Sequence, residues 1–202
     1  MLKVDGLAKA FGELRAVDAV SFTAPDGVIT GFLGANGAGK TTVMRMIMGL
    51  LLPDAGRISW NGHSLKAETR RRFGYMPEER GLYPKQRVAD QLAYFGQLRG
   101  LSSRDSNQQA KELLEQFGLA DRARAKLETL SLGNQQRVQI IASLMGVPRM
   151  LILDEPFSGL DPLATDEMVG LLRSRAREGA PVLFSSHQLD VLPREVVNGV
   201  DR

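Results

Sequence analysis

The octapeptide GANGAGKT, residues 34–41, constrains the fold of this chain more than any other stretch. It matches the pattern G-x-x-x-x-G-K-[ST], in which glycines let backbone N–H groups converge on phosphate oxygens at the start of a helix. The run VITGFLG, residues 28–34, is apolar and β-branched, which indicates a buried strand entering the loop. Apolar residues then follow helical spacing at Val43, Met46, Ile47 and Leu50. We therefore predict a strand, a phosphate-binding loop and a helix.

The residue types in this loop predict individual roles toward a nucleotide. Lys40 is expected to bridge the β- and γ-phosphates, and the Thr41 hydroxyl is expected to ligate Mg²⁺. Thr42 adds a further phosphate contact. The alternative is a glycine-rich turn with an incidental lysine, but the predicted flanking strand and helix argue against it. The other expected nucleotide contacts are Gly34, Asn36, Gly37, Ala38 and Gly39.

A second apolar run, RMLILDEP at residues 149–156, ends in two adjacent carboxylates. At the carboxyl edge of a parallel sheet such residues reach the crevice in which ligands bind. Asp154 is expected to hold Mg²⁺ through water, and Glu155 to act as general base toward an attacking water. The same pattern also occurs in surface turns, so the functional interpretation depends on its combination with the phosphate loop.

Strand and helix patterns alternate along much of the chain. Residues 53–62 contain a short strand, and PVLFSSH at residues 181–187 forms a further one. Pro162 suits the first turn of a helix that runs to about Glu178. From about residue 87 to residue 145 the periodicity is helical. This alternation predicts an α/β fold with parallel strand pairing.

Composition narrows the class of protein. The 202 residues suffice for one domain with an inserted subdomain. The net charge of +3 does not favour a nucleic-acid partner. Because the chain has no cysteine, disulfides and thiolate metal sites are excluded. We find neither a secretory signal nor an apolar run near the ~20 residues of a membrane span. A membrane role therefore requires a partner that supplies the span.

Five motifs follow one another along the chain: GANGAGKTT, LSLGNQQ, MLILDEP, SGLD at Ser158 to Asp161, and His187. In this order they resemble the Walker A, signature, Walker B, D-loop and switch-histidine motifs of the nucleotide-binding subunit of an ATP-binding cassette (ABC) transporter. The resemblance runs from about Leu2 to about Asp190. The resemblance implies a P-loop NTPase core with a mainly parallel sheet, N-terminal antiparallel strands and an inserted helical subdomain. It places the core at about residues 1–85 and 146–202 and the helical subdomain at about 86–145.

The resemblance adds two residues on the nucleotide side of the subunit. Phe11 lies where the family places an aromatic ring that stacks on adenine, a contact that suits phenylalanine. The alternative is a phenylalanine of the core or of a hydrophobic staple. His187 is expected to contact the γ-phosphate, although an isolated histidine at a strand end is more often structural.

The signature stretch is a second small-residue turn that opens a helix, although the phosphate loop alone can hold one nucleotide. Ser131 can cap that helix near Gly133, which leaves backbone N–H groups facing outward. By resemblance, Ser131 and Gly133 contact the γ-phosphate of ATP held on the opposite subunit of a head-to-tail, two-fold dimer. Asp161 of the D-loop is a further expected nucleotide contact. Leu132 and Asn134 depart from the usual L-S-G-G-Q, and an ordinary N-cap is the alternative interpretation.

Two further departures concern the loop YMPEERGLYP and the C-terminus. Glu78 occupies the slot of a glutamine that approaches Mg²⁺ or the attacking water, so it adds a negative charge near the phosphates. The PEERGLYP form and the LSxGNQQ signature resemble a bacterial export-type subgroup associated with drug, antibiotic or sodium efflux. After His187 the chain is shorter than the family pattern, and Pro193 interrupts any helix there.

The sequence thus predicts an ATPase that uses ATP and Mg²⁺ and powers transport, in the export direction, through a separate membrane-spanning permease. Its expected partners are this permease and a second ABC nucleotide-binding subunit. It is expected at the cytoplasmic face of the cell membrane. The alternatives are a soluble ABC ATPase acting on ribosomes or DNA, and a nucleotide-binding module without turnover.

Overall fold

The computed structural model describes residues 1–79 and 81–187. In chain order the elements are β1 (Leu2–Phe11), β2 (Leu14–Ala24), β3 (Ile29–Leu33), α1 (Lys40–Met48), β4 (Ala55–Trp60), β5 (His63–Ser64), α2 (Ala67–Arg70), β6 (Phe73–Met76), α3 (Val88–Leu98), α4 (Ser103–Gln116), α5 (Leu132–Leu144), β7 (Met150–Leu153), α6 (Pro162–Arg177) and β8 (Val182–Ser186). Short 3₁₀ turns lie at Ala120–Arg122 and Leu127–Thr129.

The strands form two sheets of different character. An antiparallel sheet has the order β2-β1-β4-β5, and a parallel sheet has the order β3-β8-β7-β6. The predicted α/β fold and its parallel pairing are confirmed, since β3, β7 and β8 are the three apolar runs identified in the sequence. Strand β6 was not predicted, because FGYM is short and follows three arginines.

The parallel sheet is covered on both faces. Side chains of successive residues point to opposite faces of a strand. Accordingly, Leu151 and Leu153 of β7 belong to one apolar cluster and Met150 and Ile152 to another. The first cluster also contains most of the buried apolar residues of α3, α4, α5 and α6, and the second contains the buried apolar residues of α1, β1 and β4. The segment predicted to be helical, residues 86–145, contains α3, α4 and α5. Its division from the core as a subdomain stays a prediction.

Helix α1 is shorter than the spacing of apolar residues predicts. It ends at Met48, and Gly49 adopts a left-handed conformation (φ 74°) that terminates it. Leu50, which the spacing places in the helix, instead lies beyond this turn and is 66% exposed. The other three apolar residues of the pattern are buried.

None of the helices formed by residues 1–79 and 81–187 combines the length and apolarity that a bilayer crossing requires. The predicted interruption at Pro193 and the shortened end fall in residues 188–202, outside the described part of the chain.

Helix α5 lies unusually close to strand β6. A Cβ atom at Gly74 would come within 2.2 Å of the Ser143 carbonyl oxygen, which is too near for any side chain. The missing side chain of Gly74 therefore sets the distance between this helix and the sheet.

We expect Gly74→Ala to lower the free energy of unfolding by about 1–3 kcal/mol, because helix and strand must separate to admit the methyl group. Gly170→Ala in α6 is a matched control, since no atom of the described residues lies within 4 Å of its Cβ position. There the change should stabilise by about 0.5–1 kcal/mol through helix propensity. Urea denaturation of both variants measures the difference, and equal stabilities would contradict the close approach.

Candidate functional site

The phosphate-loop motif forms a compact turn between β3 and α1. Gly37 and Gly39 have φ of 80° and 83°, a region that favours glycine. A Cβ at Gly39 would also lie 2.3 Å from the Ala16 carbonyl oxygen. Asn36 and Gly37 occupy the exposed tip, and Ala38 N–H closes the turn onto the Ala35 carbonyl at 3.1 Å. Helix α1 begins at Lys40, so its positive end opens on this loop.

Lys40 reaches back across the loop. Its Nζ donates to the carbonyl oxygens of Gly34 (2.7 Å) and Ala35 (3.1 Å). The same ammonium lies 3.4 Å from Glu155 Oε1, and the Lys40 side chain is only 7% exposed. This cation therefore bridges the phosphate loop and the carboxylate that follows β7.

Glu155 has a different partner at each carboxylate oxygen. Lys40 pairs with Oε1, while His187 Nδ1 lies 2.9 Å from Oε2. Because an ionised carboxylate only accepts, Nδ1 carries the donated proton in this arrangement. Glu155 itself has φ 51°, which turns the chain sharply at the end of the strand. The three predicted catalytic residues thus form one cluster.

Ser185 is a residue of this site that the sequence analysis missed. Its Oγ donates to Asp154 Oδ1 at 2.6 Å and accepts from Glu155 N–H at 2.9 Å. The signal was present in the FSSH run, but that run does not reveal which strand lies beside β8. Ser185 is fully buried, so its hydroxyl orients both carboxylate residues without contact with solvent.

The residues predicted to hold Mg²⁺ are suited to that ion. Asp154 Oδ2 is buried, and no donor within residues 1–79 and 81–187 pairs with it, so this acceptor is left for a group that the chain itself does not supply. Thr41 Oγ1 donates to Glu78 Oε2 at 3.3 Å, which brings Glu78 beside the first turn of α1. The described chain has no cluster of three or more His, Cys, Asp or Glu side chains for a metal. Mg²⁺ commonly uses one or two carboxylates together with substrate phosphates, which fits this arrangement.

Phe11 lies at the end of β1 with 49% of its surface exposed. This exposure argues against the alternative of a core phenylalanine. Lys9 Nζ is 5.7 Å from the ring centroid, and Asp54 binds both Lys9 Nζ (2.7 Å) and Ala10 N–H (2.8 Å). The hydrogen bond from Lys9, followed by that from Ala10, lowers the pKa of Asp54. These contacts hold the strand end that presents the ring.

The signature stretch caps α5 as predicted. Ser131 Oγ accepts from Asn134 N–H at 3.4 Å, and the helix starts at Leu132. Gly133 lies close to the D-loop, since its Cβ position is 3.5 Å from Leu160 Cδ2. Asp161 caps α6 through a 2.8 Å bond from Ala164 N–H to its Oδ1. The contacts of Ser131, Gly133 and Asp161 with a nucleotide stay predictions.

Comparison with known proteins agrees with this architecture. The family model described as "ABC transporter" matches residues 17–158. An uncharacterized ABC transporter ATP-binding protein of Bacillus subtilis, YhaQ, is 45% identical, covering 94% of this chain and 64% of the relative. The linearmycin resistance ATP-binding protein LnrL of the same organism is 36% identical over 94% of this chain and 62% of its own length.

A solved structure titled as the ATP binding subunit of an ABC transporter superposes with a TM-score of 0.86. It is 32% identical and covers 99% of this chain and 85% of that one. The chain spans 64% and 59% of the length of the first two curated relatives.

We expect Ser185→Ala to lower the free energy of unfolding by about 2 kcal/mol, because Asp154 loses a charge-assisted donor and Glu155 N–H loses its acceptor. Ser106→Ala is a matched control: Ser106 is also buried, and its Oγ has no hydrogen-bond partner among the described residues. Its replacement should cost little. Thermal unfolding of both variants tests the difference, and equal losses would show that Ser185 only fills space.

Proposed function

Because the chain belongs to the ABC transporter family, we propose that it binds and hydrolyses ATP to power transport through a separate membrane-spanning permease. The observation that carries this proposal is the cluster of Lys40, Glu155 and His187 beside the phosphate loop, in which the first two side chains are buried. This cluster joins a cation, a candidate general base and a candidate γ-phosphate contact at one edge of the sheet.

The chemistry follows from the donors and acceptors present. Backbone N–H groups of the loop and the start of α1 bind the phosphates. Lys40 exchanges its contacts with Gly34 and Ala35 for phosphate oxygens and neutralises charge that develops on the γ-phosphoryl group. Glu155, then separated from Lys40, accepts a proton from the attacking water. His187 holds the γ-phosphate in line, and positioning supplies much of the acceleration.

Mg²⁺ would supply further charge neutralisation at the phosphates when bound. Its expected holders are Thr41, Asp154 and Glu78. The buried Oδ2 of Asp154 and the contact of Glu78 with Thr41 support this assignment. The exposed ring of Phe11 is suited to stacking on the base of the nucleotide.

A second nucleotide-binding subunit completes the proposed working unit. The capped start of α5 offers backbone donors but no lysine or metal ligand of its own. It suits the γ-phosphate of ATP held by another subunit in a two-fold dimer. Leu132 and Leu163, which are 59% and 71% exposed, supply apolar surface near this turn and the D-loop.

The permease is proposed to dock beside the loop from Glu78 to Pro84. A groove of about 610 Å³ is lined there by Tyr83, Lys85, Gln86, Arg87, Asp90 and Tyr94. Both tyrosines are nearly half exposed, and such aromatic residues favour protein contacts. Docking would hold the subunit at the cytoplasmic face of the membrane.

The relatives' names support export rather than a role on ribosomes or DNA. They include linearmycin and daunorubicin resistance ATP-binding proteins. A drug- or antibiotic-type cargo is therefore proposed for the transporter that this chain serves.

We expect Glu155→Gln to lower the rate of Mg²⁺-dependent ATP hydrolysis by about 10²-fold or more, because the general base is lost. ATP should still bind, since the amide keeps the shape of the side chain. Steady-state phosphate release measures the rate, and the exposed change Glu68→Gln serves as a control. Turnover that survives Glu155→Gln would contradict the assigned base.

Mixing two inactive variants tests the shared site. Lys40→Ala removes the lysine of a subunit's own site, whereas Ser131→Arg blocks the surface offered to its partner. In a head-to-tail dimer of both variants, one composite site keeps an intact Lys40 and an intact Ser131. We expect the mixture to regain ATPase activity that neither variant has alone. Activity that stays absent at saturating protein concentration would contradict the two-subunit site.

A further inference from the structure

Helix α5 carries a buried polar stripe in an otherwise apolar environment. Gln136, Gln139 and Ser143 are 8%, 5% and 1% exposed, and their spacing puts them on one face of the helix. Burying an amide is costly unless it is hydrogen-bonded. The positions are therefore explained by the groups that these side chains contact.

The two glutamines bind the backbones of two different loops. Gln136 Nε2 donates to the carbonyl oxygens of Glu155 (3.1 Å) and Pro156 (3.0 Å). Gln139 Nε2 donates to those of Pro77 (2.9 Å) and Glu79 (3.2 Å). Because carbonyl oxygens only accept, the NH₂ end of each amide must face its loop. One helix thus holds the loop of the general base and the loop of Glu78.

We propose that Gln139 is a positioning residue that couples the Glu78 loop to the signature helix. C-terminal to Gln139, the close approach of Ser143 to Gly74 fixes the helix against β6. Gln139 extends this attachment past Met76, where β6 ends and the loop has left the ladder of the sheet. The two carbonyls that it binds flank Glu78 on either side in the chain.

The two residues that the proposed coupling connects, Ser131 and Gln139, both belong to helix α5. Ser131 caps the first turn of α5, and Gln139 lies two turns further along it. A displacement of the helix start therefore moves the Pro77 and Glu79 carbonyls, and with them the Glu78 carboxylate that contacts Thr41. This step rests on the proposed function, because the signature turn must meet a nucleotide for the displacement to occur.

Hydrogen–deuterium exchange of the nucleotide-free protein tests the attachment itself. Gln139→Met keeps the length of the side chain but removes the donor, and Gln139→Glu presents an acceptor to two carbonyls. We expect exchange in residues 77–84 to be about tenfold faster in Gln139→Met, as the loss of two hydrogen bonds implies, and faster still in Gln139→Glu. Residues 155–160 should exchange at the wild-type rate.

Gln136→Met is the matched control, because it removes an identical pair of bonds from the other loop. Faster exchange in residues 155–160 but not in 77–84 is expected for it. Equal acceleration of both segments in all variants would mean general loosening and would overturn the proposal. Unchanged exchange in residues 77–84 of both Gln139 variants would overturn it as well.

Nucleotide-bound protein tests the coupling. In the Glu155→Gln background, ATP with Mg²⁺ should slow exchange in residues 131–135 and in 77–84. Adding Gln139→Met should leave the first protection and remove the second. In the hydrolysing protein, Gln139→Met should raise the half-saturating Mg²⁺ concentration several-fold and leave the KM for ATP unchanged. Protection of both segments in the Gln139→Met protein would refute the coupling.

These experiments separate two failures. If the protein does not hydrolyse ATP, the proposed function fails, whereas exchange in the nucleotide-free variants still tests the attachment. If hydrolysis is normal but the Gln139 variants exchange like wild type, only the coupling fails.

Discussion

The end of β8 holds the two halves of the candidate site in register. Ser185 Oγ donates to Asp154 Oδ1 on one side, while the Ser186 carbonyl oxygen accepts from Gly34 N–H at 3.2 Å on the other. Parallel pairing of β3, β8 and β7 brings three carboxyl ends to one edge, where ligands bind in such folds. The phosphate loop, the carboxylates and His187 can therefore meet although more than 100 residues separate the first from the others.

Charge pairing determines how Lys40, Glu155 and His187 are arranged. Lys40 and His187 approach different oxygens of Glu155, and burial of Lys40 and Glu155 strengthens the contact between those two relative to water. Burial also makes an unpaired charge costly, so the loss of either Lys40 or Glu155 leaves the other charge buried without this partner. In the proposed mechanism a triphosphate competes for the Lys40 cation and the His187 donor, so nucleotide binding and rearrangement of Glu155 are linked.

Helix α5 connects the signature turn with two loops of the candidate site. Its start offers donors outward, while Gln136 and Gln139 attach its inner face to two loops of the site. The proposed binding surface at the start of the helix and the attachments of both loops therefore lie on one helix. Val138, Ile140, Ile141 and Leu144 of the same helix belong to the main apolar core, so the helix cannot slide without disturbing it.

The sequence was informative wherever the signal was local. The phosphate loop, the three apolar strands, the cap at Ser131 and the start of α6 could be predicted, because short-range sterics and hydrogen bonding specify them. Helix α1 was predicted too long at Leu50, since apolar spacing does not register the left-handed turn at Gly49. Strand β6 was missed because four residues carry too little periodicity.

The sequence by itself thus determined the fold class, the family resemblance and the residue types available for phosphate chemistry. Only the tertiary structure decided which side chains of the site lie next to each other. Ser185 lies between Asp154 and Glu155, Glu78 contacts Thr41, and Gln139 binds the Glu78 loop. The physical reason is that these contacts depend on strand order and on the distance between α5 and β6. Both are set by packing between segments far apart in the chain, which no local pattern records.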